Sequence, residues 1–148
     1  MFCLNLWLLK SQLLVQLVFF YIIAMNHNQK GCFAEYHFAS TAIALGYNVS
    51  MPLLSASYYD CILEKNGKLF KIQIKYLGKD RTQRKNSIQI TLRRTGLPSY
   101  EKKYVDYFAL WDERHNGFFI IPNLGQTSLK LNPNGKYKEN FNNFALIS

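Results

Sequence analysis

The sequence is poor in the residues from which disulfide frameworks, zinc sites and histidine–metal clusters are built. Its three cysteines, Cys3, Cys32 and Cys61, are scattered, odd in number and without Cys-x-x-Cys spacing. Neither a disulfide framework nor a zinc site follows, and a reducing cytoplasm is the default compartment. His27, His37 and His115 are equally dispersed, and His27 lacks the further partners of a histidine-based nuclease. Acidic residues are also scarce: 9 Asp plus Glu against 18 Lys plus Arg leave a net charge of +9. That imbalance points to a polyanionic partner, nucleic acid first and an anionic membrane surface second. Internal repeats and an interdomain linker are absent.

What is present is enough apolar material for one core. The 148 residues are 49% hydrophobic and 16% aromatic, which excludes a disordered tail and fits one domain. Much of that content lies in residues 1–24, MFCLNLWLLKSQLLVQLVFFYIIA, which carry Lys10 as their single charge. The uninterrupted part after Gln16 is eight residues long, short of the ~20 that a membrane span needs. A basic first segment and a small-x-small cleavage site are both missing for a secretory signal. The segment is therefore read as an extension upstream of a true start at Met25, ahead of a membrane segment, a signal or a helix packed on the domain. Residues 25–148 are expected to form a single domain without a membrane partner.

Beyond Met25 the pattern becomes regular. Residues 31–45, GCFAEYHFASTAIAL, place Ala34, Phe38, Thr41, Ala42 and Leu45 at helical spacing, with Gly46 as the stop. Tyr47–Leu54 reads as a short strand or extended segment, demoted by Pro52. Tyr58–Gly78 reads as strand, turn, strand, with Asn66–Gly67 as a hairpin turn. Its second half, FKIQIKYLG, puts Phe70, Ile72, Ile74 and Tyr76 on one face and Lys71, Gln73, Lys75 and Leu77 on the other, as in a strand with one buried side. Asn86–Arg94 alternates again, with Ile88, Ile90 and Leu92 inward. Tyr104–Trp111 and Gly117–Pro122 read as two buried strands, and the tail after Asn123 shows no clear pattern. The expectation is an α+β domain: a helix, then a mixed β-sheet.

Three side chains on the hairpin carry a chemical suggestion. With Asn66–Gly67 as the turn, Asp60 lies beside Gln73 and Lys75 on the polar face, and same-face neighbours across a sheet lie within reach of one ion. A hard cation such as Mg²⁺ takes oxygen ligands and needs only one or two carboxylates besides a substrate phosphate. Lys75 is placed to offset charge on the phosphate. Taken singly, Asp60 reads as a turn cap, Lys75 as a solvated strand residue and Glu35 as a first-turn helix acid.

Asp60 followed by Gln73-x-Lys75, on adjacent strands and after a helix glutamate at Glu35, resembles the core of the PD-(D/E)XK nucleases. The stretch VDYFALWDERHNGFFIIP resembles the strand pair that follows this core in small members. The match covers residues 30–123. The chain departs from the family pattern at Tyr59, in place of Pro, and at Gln73, in place of the second acid. That glutamine variant on a small basic chain is most similar to the homing endonucleases of group I introns in cyanobacterial tRNA genes. The resemblance implies a restriction-endonuclease-like fold with helices flanking a mixed sheet. It further implies Mg²⁺, with Glu35, Asp60 and Gln73 as ligands, and Glu35, Asp60, Gln73 and Lys75 as the catalytic set.

Between Lys71 and Arg94 stand eight basic residues and one acid, Asp80. Lys79, Arg81, Arg84, Lys85 and Arg94 fit phosphate contacts, and the row Ser87, Gln89, Thr91 and Arg93 is expected to face outward as a base-reading surface. The bland alternative is the solvated side of an edge strand. Together these features imply a site-specific double-strand DNA endonuclease. Cutting both strands requires a homo-oligomer, a dimer or a dimer of dimers. The competing reading is a non-cleaving nucleic-acid-binding module on the same fold, which assists the intron.

Overall fold

The computed structural model describes residues 25–54, 56–78, 87–93 and 100–148. Helix α1 spans His27–Ala44, four residues earlier than the apolar pattern alone indicates. The reason lies at its start: the Asn26 side chain accepts from Gln29 N–H at 3.0 Å while the Gln29 side chain accepts from Asn26 N–H at 2.9 Å. This reciprocal cap satisfies two otherwise orphaned donors. At the other end Gly46 turns left-handed (φ 82°), and the N–H groups of Gly46 and Tyr47 return to the carbonyls of Ile43 and Ala42. Those two bonds form the paired closure that a left-handed glycine permits.

Seven strands follow: β1 (Asn48–Ser50), β2 (Cys61–Lys65), β3 (Lys68–Leu77), β4 (Ile88–Thr91), β5 (Tyr107–Asp112), β6 (Gly117–Pro122) and β7 (Ser128–Leu131). The main sheet has the order β1-β2-β3-β5-β6 and is mixed, because β3 runs parallel to β5 while the other pairs are antiparallel. Asn66 and Gly67, with φ of 54° and 75°, make the tight turn from β2 to β3. This left-handed pair matches the twist of the two strands it joins. Cys61 therefore pairs with Ile72 and Lys65 with Lys68. The expected α+β architecture is the one observed.

The strand at the centre departs from the expectation of one buried side. Ile72 and Ile74 pack under α1, against Ala34, Phe38 and Ala42. On the opposite face Leu77, expected among the outward residues, is fully buried with Phe108 and Leu110. What covers this second face is a separate antiparallel ribbon of β4 and β7, which contributes Ile88, Ile90, Leu129 and Leu131. The described part of the molecule is thus three layers: helix, five-stranded sheet, two-stranded ribbon. β5 and β6 serve both interfaces by alternation, Ala109, Trp111, Phe118 and Ile120 toward the helix and Phe108, Leu110, Phe119 and Ile121 toward the ribbon. Among the described residues, no helix is long and apolar enough to cross a membrane.

Candidate active site

Asp60 sits one residue before β2 and prolongs its ladder, with its N–H donating to Ile72 carbonyl oxygen at 2.8 Å. The register then sets Asp60 opposite Gln73, as the hairpin turn predicts. Asp60 Oδ2 accepts two hydrogen bonds, one from Ile74 N–H at 2.6 Å and one from Gln73 Nε2. Gln73 Nε2 also lies 3.3 Å from the Ile74 carbonyl. Two acceptors therefore fix which end of the amide faces them. The NH₂ group turns toward Asp60 and the main chain, and Oε1 is left to face the other way. Among the described residues no hydrogen bond falls on Asp60 Oδ1 or Gln73 Oε1.

This arrangement explains why a glutamine is accommodated at position 73. The side chain is buried, 8% exposed, and a carboxylate there would face both Asp60 Oδ2 and a carbonyl oxygen. The amide instead donates to both. The local gain is a hydrogen bond where two like charges would otherwise meet without a cation.

Glu35, on the third turn of α1, lies near enough for its charge to act on Asp60. It is half-buried, and burial raises its carboxyl above the usual range. Asp60 is pushed up to about 6, first by burial, with the Glu35 charge adding to the rise. The Ile74 N–H, the Lys75 ammonium and the Gln73 amide pull in the opposite direction. Among the described residues, no three His, Cys, Asp or Glu side chains gather to hold a metal. The donor set here is two mutually repelling carboxylates and one amide oxygen. Two partly desolvated carboxylates that repel each other, beside a free amide oxygen, fit a hard divalent cation.

Lys75 lies two residues from Gln73, on the same face of β3, and its charge reaches Asp60. Of the four residues expected from the sequence, Asp60 and Gln73 are in contact, and Glu35 and Lys75 lie near enough for their charges to act on Asp60. The DNA-contact set fares differently. Lys79, Arg81, Arg84, Lys85 and Arg94 lie outside the described residues. Gln89, Thr91 and Arg93 are exposed as expected, but Ser87 is buried, 6% exposed. It precedes β4 and is buried, so it leaves the exposed row. The ribbon adds two residues that the sequence reading missed. Lys130 stands opposite Gln89 and Ser128 opposite Thr91, all four exposed. The available signal was the short alternation Ser-Leu-Lys-Leu, hidden in an Asn- and Gly-rich tail.

A family model for the PD-(D/E)XK endonucleases matches residues 25–145. The chain belongs to this family. Asp60, Gln73 and Lys75 thus stand in a PD-(D/E)XK endonuclease, and the fold agrees. Among solved structures, the chain resembles a bacterial homing endonuclease, I-Ssp6803I, with a TM-score of 0.67 and 20% identity, over 82% of this chain and 91% of that one. At that identity the likeness speaks for the fold. None of the curated proteins matches.

In this PD-(D/E)XK endonuclease the strand pair after the core has its own physical logic. Asp106 accepts from Lys71 N–H at 2.7 Å through Oδ2, and its own N–H donates to Lys71 carbonyl oxygen at 2.8 Å. It thereby fastens the start of the parallel β3–β5 pair, which sets Phe108 beside Gln73 and Leu110 beside Lys75. The site-bearing strand is held from both sides.

Proposed function

We propose that the chain is a Mg²⁺-dependent, site-specific double-strand DNA endonuclease of the intron-homing kind, acting in the cytoplasm as a homo-oligomer. The observation that carries the reading is Asp60 bonded to both Gln73 and Ile74 N–H, with Glu35 and Lys75 close enough to act on its charge. Asp60, Glu35 and the Gln73 amide oxygen would hold the ion. The chemistry supplied by such an ion would be polarisation of the scissile phosphodiester and a lowered pKa for a water molecule. Asp60 stays oriented through its two Oδ2 bonds, so Oδ1 need not reorganise. The Lys75 ammonium offsets the negative charge that grows on the phosphate oxygens.

The outer face of the β4–β7 ribbon supports DNA as the substrate. Gln89, Thr91, Arg93, Ser128 and Lys130 are exposed there, and the DNA major groove admits a two-stranded ribbon. The net charge of +9 favours a polyanion in the same way. One site cuts one strand, so paired subunits are needed for a double-strand break.

The experiment is cleavage of plasmid DNA carrying the intron insertion site, with Mg²⁺ and with chelator. Linear product only with Mg²⁺ is expected. Tight binding of that DNA with no nicking in any divalent ion would establish the non-cleaving module instead.

A further inference from the structure

The sequence-level set of site residues ends at Lys75, but the structure shows what Lys75 rests on. Its Nζ lies 5.3 Å from the centroid of the Tyr100 ring. Tyr100 is buried, 6% exposed, and its ring packs edge-on against Phe108, centroids 5.5 Å apart at 74°. Phe108 is the residue that pairs with Gln73 across the parallel ladder. One ring therefore supports Lys75 directly and the neighbour of Gln73 edge-on.

The main chain beneath the ring is fixed as well. Asn123 is 5% exposed, and its Nδ2 donates to the carbonyls of Tyr100 at 3.1 Å and Val105 at 2.9 Å. Its own N–H donates to Asp106 carbonyl oxygen at 2.8 Å. A buried amide with both protons committed is costly to misplace. It ties the segment carrying Tyr100 to the start of β5 and the end of β6.

We infer that Tyr100 is a positioning residue that holds the Lys75 ammonium in the site before DNA arrives, with Asn123 anchoring Tyr100. The inference rests on the proposed role of Lys75. A free lysine side chain samples many rotamers, and ordering it at the moment of reaction raises the barrier. An aromatic face attracts the ammonium through the ring quadrupole, which narrows those rotamers. The hydroxyl of Tyr100 is not required for this, so phenylalanine should serve equally well.

The test uses the full chain with Tyr100→Phe, Tyr100→Leu and Lys75→Ala, read by single-turnover cleavage at saturating Mg²⁺ and DNA. The second readout is the chemical shift of the Lys75 ε-methylene protons, which an aromatic face moves upfield. Tyr100→Phe should keep the shift and cut within about twofold of the parent, whereas Tyr100→Leu should lose the shift and slow by about tenfold, the scale of an ammonium–ring contact. DNA affinity in Ca²⁺ should be unchanged in both. Should Tyr100→Leu not fold, phenylalanines of increasing fluorination at position 100 keep the shape while draining the ring face, and the rate should fall stepwise. A parent-like rate in Tyr100→Leu or across the fluorinated series, with Lys75→Ala inactive, overturns the inference alone. Parent-like cleavage by Lys75→Ala overturns the reading of Lys75 and the inference with it.

Discussion

At the scale of single residues, the site is held ready at a cost in stability. Asp60 is raised to about 6, chiefly by burial. A carboxyl raised on folding binds protons more tightly in the native state, so its contribution to stability falls as pH climbs from about 4 to about 6. Above that range the metal-free protein carries the full penalty. Asp60→Asn keeps an acceptor for Ile74 N–H and Gln73 Nε2 but removes the charge. It should stabilise the metal-free protein at pH 7 by about 2 kcal/mol, with the gain vanishing below about pH 4. Urea titrations at the two pH values check this, and equal stabilities at pH 7 would contradict it. Protons and the cation then compete for Asp60, so the Mg²⁺ concentration needed for cleavage should rise as pH drops through about 6. Position 73 offers a complementary test. Gln73→Glu should still cleave, at lower Mg²⁺, while Gln73→Ala should lose much of the rate. A Gln73→Ala protein that cuts like the parent across a Mg²⁺ titration would remove the ligand role.

At the scale of elements, what the sequence disclosed depended on how local the determining interaction is. The end of α1 was legible because Gly46 closes it within a few residues, and the β2–β3 hairpin because Asn66–Gly67 sets both turn and register. That register is why Asp60 and Gln73 could be placed side by side without coordinates. The four extra residues at the start of α1 depend on a polar cap, which the apolar pattern does not record. The pairing of β4 with β7 joins segments some forty residues apart, and nothing local in Ser-Leu-Lys-Leu announces it. Ser87 was misplaced because alternation alone puts it on the exposed face, whereas the folded chain buries it.

The ribbon yields a prediction of its own. Replacing Arg93 and Lys130 by Ala should weaken DNA binding. The slope of log K against log[salt] should shrink by roughly 0.9 for each phosphate that is no longer neutralised. An unchanged slope would move the DNA to another face. The β5–β6 hairpin is gripped by the C-terminal segment, where Asn142 accepts from Phe118 N–H at 2.8 Å through Oδ1. A Cβ at Gly117 would lie 2.6 Å from Asn142 Nδ2 and closer still to the Phe141 ring. Gly117→Ala should therefore lower stability by about 1–3 kcal/mol, measured by thermal melting, through overpacking alone.

At the scale of the whole molecule, the family match begins at Met25, where the hydrophobic composition of residues 1–24 gives way to the capped start of α1. A chain beginning at Met25 should fold and cleave like the full one. Loss of the circular dichroism spectrum on truncation would contradict that. The three layers then place their parts by division of labour: α1 brings Glu35, the hairpin brings Asp60, Gln73 and Lys75, and the ribbon presents a polar, basic face to solvent. On the proposed reading, binding and chemistry fall to different elements, which makes them separable by mutation. The most direct measurement is single-turnover cleavage of insertion-site DNA in Mg²⁺ by the parent and by Asp60→Ala, paired with binding of the same DNA in Ca²⁺. Asp60→Ala is expected to bind like the parent and not to cut. Undiminished cleavage by Asp60→Ala would contradict that.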